Sequence, residues 1–137
     1  MTNEQIRLVQ DSFDKIRPIS EVAADLFYKR LFELDPTLRP MFKGNIKEQG
    51  KELMSTLSFA VNGLNNLDSI VGAVEELGRK HVGYWVKPEH YNTVGEALLW
   101  TLEKGLGDAF TADVKFAWTE VYGLLAGVMQ NATKEVA

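Results

Sequence analysis

Few side chains here could carry chemistry, and their types narrow it at once. The chain has two histidines, His81 and His90, and no cysteine. Thiolate nucleophiles, Cys-ligated zinc or iron–sulfur centres, disulfide frameworks and three-His metal sites are therefore excluded. His81 closes the helical run Leu77-Gly78-Arg79-Lys80-His81. Its imidazole could ligate a metal, or simply complement the negative end of a helix dipole. Taken singly, Tyr28 reads as a core aromatic with a bonded hydroxyl, Phe42 as a packing residue after a turn, and Gln49 as a solvated helix residue. Other signatures fail. Gly105-Leu106-Gly107 lacks the third glycine of a dinucleotide loop and follows a helix, so it reads as a helix end. Asn131-Ala132-Thr133 matches a glycosylation acceptor, but with no secretion signal it carries no weight. No HExxH, Walker loop or GxSxG occurs, which removes the usual hydrolase and nucleotide-binding chemistries.

The elements that must position these residues are helical throughout, because apolar spacing follows a 3.6-residue period and no period-two run appears. Thr2 and Gln5 predict a capping box for a first helix whose inner face is Ile6, Val9, Phe13 and Ile16. Pro18 ends it. Ser20 is expected to cap a second helix carrying Val22, Ala23, Leu26, Phe27 and Leu31 inward. Asp35-Pro36 stops that helix and opens a short one. A long amphipathic helix follows, with Leu53, Leu57, Val61 and Leu64 on one side and an end near Asn62-Gly63. Asp68 is expected to cap the next, through Ile70, Val74 and Leu77 to His81, stopping at Gly83. Lys87-Pro88 starts a helix with Val94, Leu98 and Leu102, closed by Gly105-Leu106-Gly107. Thr111 caps the last, whose stripe is Val114, Ala117, Trp118, Val121, Leu125 and Val128. The expectation is an all-α chain of about seven helices.

The order and spacing of these residues resemble the globin family. The match runs through Phe27-Tyr28-Lys29-Arg30-Leu31-Phe32, Asp35-Pro36, Arg39-Pro40-Met41-Phe42 and Gln49-Gly50-Lys51-Glu52-Leu53. It continues through Leu77 to His81, Tyr91 to Leu99, Ala117-Trp118 and Val121-Tyr122-Gly123. Among globins the chain is similar to single-domain bacterial haemoglobins and the globin part of flavohaemoglobins, and Leu77 to Met129 also resembles neuroglobin. The resemblance implies a globin fold, a three-over-three helical sandwich over residues 1–137, holding one haem b with its iron. It puts His81 at the proximal metal position and Tyr28, Gln49 and Leu53 on the distal, ligand-binding side. It implies cofactor contacts from Phe42, Leu53, Lys51, Arg79, Tyr91, Val94 and Leu98. A phenol and an amide aimed at dioxygen, which is polarised in such a pocket, imply high oxygen affinity; carbon monoxide and nitric oxide are the other gases implied. Gln49 in place of a histidine implies no internal bis-histidine ligation.

Two departures from the family pattern matter. The glutamate that flavohaemoglobins place on the last helix falls at Thr133 here, with Glu135 two residues on and off that helix face. Glu52 stands where many globins carry a basic partner for a haem propionate, which leaves Lys47, Lys51, Arg79 or Lys80 for that task. Reversible gas binding is the leading expectation, with nitric oxide dioxygenase served by an external reductase as the alternative. An output-domain sensor and a haem-free module are less favoured, and Trp85 or Trp100 could mark a pocket edge or a subunit contact. The 137 residues are 45% hydrophobic and 25% charged with net charge −4, an ordinary globular balance without the basic stripe that nucleic acid requires. With neither a leader at the amino terminus nor an apolar run near the roughly 20 residues of a membrane span, a cytoplasmic location is expected.

Overall fold

The computed structural model describes the backbone of residues 2–41, 45–83 and 88–136, and the side chains of 2–40, 45–77 and 89–131. Within them lie six α-helices and no strand. These are α1 (Asn3–Ile16), α2 (Ser20–Leu34), α3 (Ile46–Asn62), α4 (Val71–Gly83), α5 (Pro88–Leu106) and α6 (Ala112–Val136).

Local chemistry sets most of the boundaries. Thr2 accepts from the Gln5 amide and Gln5 answers to the Thr2 amide, the reciprocal cap that satisfies two orphan donors of α1. Asn45 caps α3 through Lys47, and Thr111 caps α6 through Val114. Gly107 leaves α5 at φ +56°, a left-handed turn that a glycine adopts without steric cost. Three expectations are corrected. Ser20 is not a cap: the 3-10 turn Arg17–Ile19 around Pro18 runs straight into α2, whose cap position is Ile19 with no side-chain bond. Asp68 lies inside a 3-10 segment, Leu64–Ser69, and α4 begins at Val71. The expected seventh helix is the 3-10 stretch Pro36–Met41, where Pro36 and Pro40 each remove a backbone donor.

Contacts between helices run from α1 to α6, α2 to α3 and α4 to α6, while α5 backs both α2 and α6. Ile6, Val9, Phe13 and Ile16 of α1 are all buried, as their spacing predicts. They meet Val114, Ala117, Trp118 and Val121 of α6 in one core. Trp118 donates its indole N–H to Ser12 Oγ at 2.8 Å, which partners the one polar atom a buried tryptophan carries. Val22 departs from expectation: at 56% exposure it faces outward, while Ala23, Phe27 and Leu31 hold the inner face of α2.

Candidate functional site

The distal side depends on how closely α2 and α3 cross. A methyl group at Gly50 would lie 2.9 Å from the Ala24 Cβ, so only glycine lets the two backbones approach this far. One turn beyond Ala24, Tyr28 is carried beneath α3, 5% exposed, with Phe27 edge-on at 5.1 Å and Phe32 stacked at 6.1 Å. Its hydroxyl donates to the Gln49 carbonyl at 3.3 Å, a long contact for an O–H donor. Burial, then the negative charge of Glu52, pushes the phenol up to about 12. Tyr28 is therefore protonated at neutral pH and remains a donor.

Tyr28 belongs to the main apolar core. Leu98 is buried in the same core as Tyr28, and Leu53, Leu57 and Val94 pack against it while staying half-buried. Gln49 is half-buried one turn before Leu53.

Across the molecule, Val74, Tyr91, Ala126 and Met129 make a second, smaller core with Leu77, Leu125 and Val128 against it. Tyr122 and Leu125 touch both cores. Tyr122 donates to the Tyr91 carbonyl at 2.6 Å, and its ring lies 2.9 Å from where a Gly95 methyl would sit. Burial raises both phenols above the ordinary tyrosine range, with Tyr91 adding to the shift of Tyr122.

Among the expected site residues, the structure brings Tyr28, Leu53, Val94 and Leu98 into one cluster, sets Gln49 beside it through its carbonyl, and places Tyr91 in the second core. His81 sits in the last turn of α4, four residues after Leu77 and seven after Val74, in register with that core. The side chains of His81, Arg79, Lys80 and Thr133 lie outside the described residues, as does Phe42 altogether. Lys51 is not brought to the cluster. It is exposed, two residues and so about 200° round α3 from Leu53. With Lys47 it lines an outer groove of about 1030 Å³ bordered by Phe13, Arg17, Met54 and Phe59. Three contributors went unassigned in the sequence: Gly50, Glu52 acting on Tyr28, and Tyr122. Only Gly50 carried a signal of its own, since a glycine inside a strong helical pattern costs about 1 kcal/mol and points to a close approach.

The half-buried Leu53, Leu57 and Val94 leave apolar surface that a bound apolar group would cover. Among the described residues, α3 leans on α1 and α2, and α4 on α6, with no substantial packing of α3 on α4. An apolar group against Leu53, Leu57 and Val94 would complete their burial, with a hydrogen-bond donor on one side and the register of a histidine on the other. Haem b has that chemistry.

Comparison with known proteins points the same way. The globin family model matches residues 25–129. The flavohemoprotein of Vibrio cholerae is 31% identical over 131 residues, covering 93% of this chain and 33% of that protein. The Bacillus subtilis flavohemoprotein is 30% identical over 139 residues, 99% of this chain and 35% of its own length. The chain thus spans about a third of the length of these relatives. A solved bacterial globin from Campylobacter jejuni superposes with a TM-score of 0.86 at 29% identity, over 98% of each chain.

Proposed function

The chain belongs to the globin family, and from that premise we propose that it is a reversible dioxygen binder of high affinity, with Tyr28 and Gln49 as the distal donors. The family's cofactor is haem b, its ligands are diatomic gases, and the fold is the three-over-three helical sandwich. When bound, haem b would supply an iron able to take up such a gas.

The observation that carries the reading is the state of Tyr28: buried, protonated, and held by a 3.3 Å bond to the Gln49 carbonyl. A phenol has one proton to donate. Turning that proton from a long backbone contact toward a polar gas loses little and stabilises the gas by about 1 kcal/mol or more. The Gln49 amide would add a second donor. Carbon monoxide, less polar, gains less from either. His81 is assigned to hold the cofactor from the α4 side, while Leu53, Val94 and Leu98 exclude water, and Phe42 and Tyr91 complete the walls. The propionates would fall to Arg79 or Lys80, because Lys47 and Lys51 border the outer groove.

A second reading, nitric oxide dioxygenase, is favoured by the flavohemoprotein relatives. In it Tyr28 and Gln49 would hold dioxygen for combination with nitric oxide to nitrate, the one electron required coming from the haem and being returned by an external reductase. Residues 1–137 would serve as one globin domain, working in the cytoplasm; no described helix is long and apolar enough to cross a membrane. The test is the optical spectrum of the dithionite-reduced holoprotein before and after carbon monoxide. A sharp Soret shift is expected, and no Soret band after haem is offered would overturn the reading. Turnover with nitric oxide and a reductant then separates carrier from enzyme.

A further inference from the structure

The hydrogen bond of Tyr28 does little to fix its ring, because 3.3 Å to the Gln49 carbonyl is long for an O–H donor. The ring is held instead by neighbours on α2. Phe27 meets it near-perpendicular, at 78°, and Phe32 lies near-parallel, at 26° with ring centres 6.1 Å apart, the offset stacking that aromatic pairs prefer. Phe27 and Leu31 are buried and anchor α2 in the main core. Phe32, one turn after Tyr28, is only half-buried against that core. It is met in turn by Arg39, whose guanidinium carbon lies 5.5 Å from its ring centre. A stiff stretch of chain brings Arg39 there. Asp35 accepts from both the amide and the hydroxyl of Thr37, Pro36 and Pro40 fix two backbone angles, and Leu38 is buried, which leaves Arg39 exposed beside Phe32. Arg39, Phe32 and Tyr28 thus make a chain of contacts from an exposed cation to the buried phenol.

We infer that Phe32 is a positioning residue of the distal site, acting through Tyr28 by limiting the swing of its ring, with Arg39 holding Phe32 in place. This rests on the haem reading above and deepens it. A phenol turns about two side-chain bonds, and its hydroxyl, at the tip, moves furthest for a given turn. A second ring stacked on it narrows that range without engaging the hydroxyl. The proton stays free to turn from the Gln49 carbonyl to a ligand, while the oxygen that carries it stays in place. A donor held in advance loses less freedom when the ligand arrives. Phe32 and Arg39 act here only through Tyr28.

The experiment measures gas release by stopped flow from wild-type, Phe32→Leu, Arg39→Ala and Tyr28→Phe holoproteins, and from the variant combining Tyr28→Phe with Phe32→Leu. Oxygen release is expected to quicken roughly fivefold in Phe32→Leu and roughly twofold in Arg39→Ala, with carbon monoxide release within about 1.5-fold of wild type in both. In the combined variant the change at Phe32 should add nothing to the Tyr28→Phe rate, because the ring it steers has lost its donor. A second readout does not depend on ligand release. In the diamagnetic ferrous carbon monoxide form, NMR line shapes should show the Tyr28 ring flipping faster in Phe32→Leu than in wild type. Oxygen release at the wild-type rate in Phe32→Leu, an equal rise for carbon monoxide, an undiminished effect in the combined variant, or unchanged ring flipping would each overturn the assignment. Should Phe32→Leu fail to fold, the exposed Arg39→Ala decides alone, and wild-type release and flipping there would overturn it. A Tyr28→Phe variant that releases oxygen at the wild-type rate would sink the function and this inference together. Fast release from Tyr28→Phe with wild-type release from Phe32→Leu would sink only the inference.

Discussion

Two tyrosines do the same thing at two different helix contacts, and the difference between them separates working part from scaffold. Each is on a helix, Tyr28 buried and Tyr122 half-buried, and each donates its hydroxyl to a backbone carbonyl of a neighbouring helix. Tyr122 reaches Tyr91 at 2.6 Å, with its ring seated on the α5 backbone at Gly95. Tyr28 reaches Gln49 only at 3.3 Å. A short bond on a rigid seat pins α5 to α6. A long one leaves a donor whose proton can be redirected.

The largest expected effect comes from protonation, which both rings share. Tyr28 keeps its proton to about pH 12 in the folded chain, against 10.0 for an unshielded phenol. Between those values the unfolded chain loses its proton first, so stability is complete below about pH 10 and falls as pH rises to about 12. Two pH units correspond to about 2–3 kcal/mol from Tyr28 alone. Alkaline denaturation of wild type against Tyr28→Phe checks this: the variant should show a shallower loss over that window, with the Tyr122 share remaining. Identical slopes would mean the Tyr28 ring is not shielded as described.

Next in size is the contrast in ligand release. Tyr28→Phe should speed oxygen dissociation roughly tenfold or more, about 1.4 kcal/mol, measured by stopped-flow mixing of the oxygenated protein with carbon monoxide. Its melting should move little, because the bond it loses is long and the Gln49 carbonyl lies within α3. An unchanged release rate would remove Tyr28 from the distal role. Tyr122→Phe should show the opposite profile: about 1 kcal/mol of stability lost by denaturant titration, with oxygen release within about twofold of wild type. Should Tyr122→Phe alter release as strongly as Tyr28→Phe, the distinction between redirectable donor and fixed strut would collapse.

Much of this was legible in residue order, but unevenly. The α1 face and its cap follow from Thr2, Gln5 and a clean three-four-three spacing, and all four inner residues are buried. Ser20 has the right chemistry for a cap, yet the turn around Pro18 enters α2 with helical geometry and leaves no role for its hydroxyl. Val22 follows the apolar pattern of α2 but falls outside the arc that Ala23, Phe27 and Leu31 bury, so hydrophobicity alone misassigned it. At the site, Tyr28, Leu53, Val94 and Leu98 converge because helix register carries them there. Tyr122 was invisible as a partner of Tyr91, since a contact between α6 and the first turn of α5 has no local signature.

Lys51 gives the smallest expected effect and the sharpest check on which side of α3 faces the pocket. It belongs with Lys47 on the groove bordered by Phe13, Arg17, Met54 and Phe59. Leu53, about 200° away around the helix, packs against the main core to which Tyr28 and Leu98 belong. If that placement governs function, Lys51→Ala should leave both oxygen release and the rate of haem transfer to an apoglobin acceptor within about twofold of wild type. Its stability should change by no more than about 0.5 kcal/mol, the usual range for an exposed surface substitution. Haem transfer several-fold faster in Lys51→Ala would mean that the lysine reaches a propionate around the helix. The propionate assignment would then move from Arg79 or Lys80 back to α3, and the division of that helix into a groove face and a pocket face would fail with it.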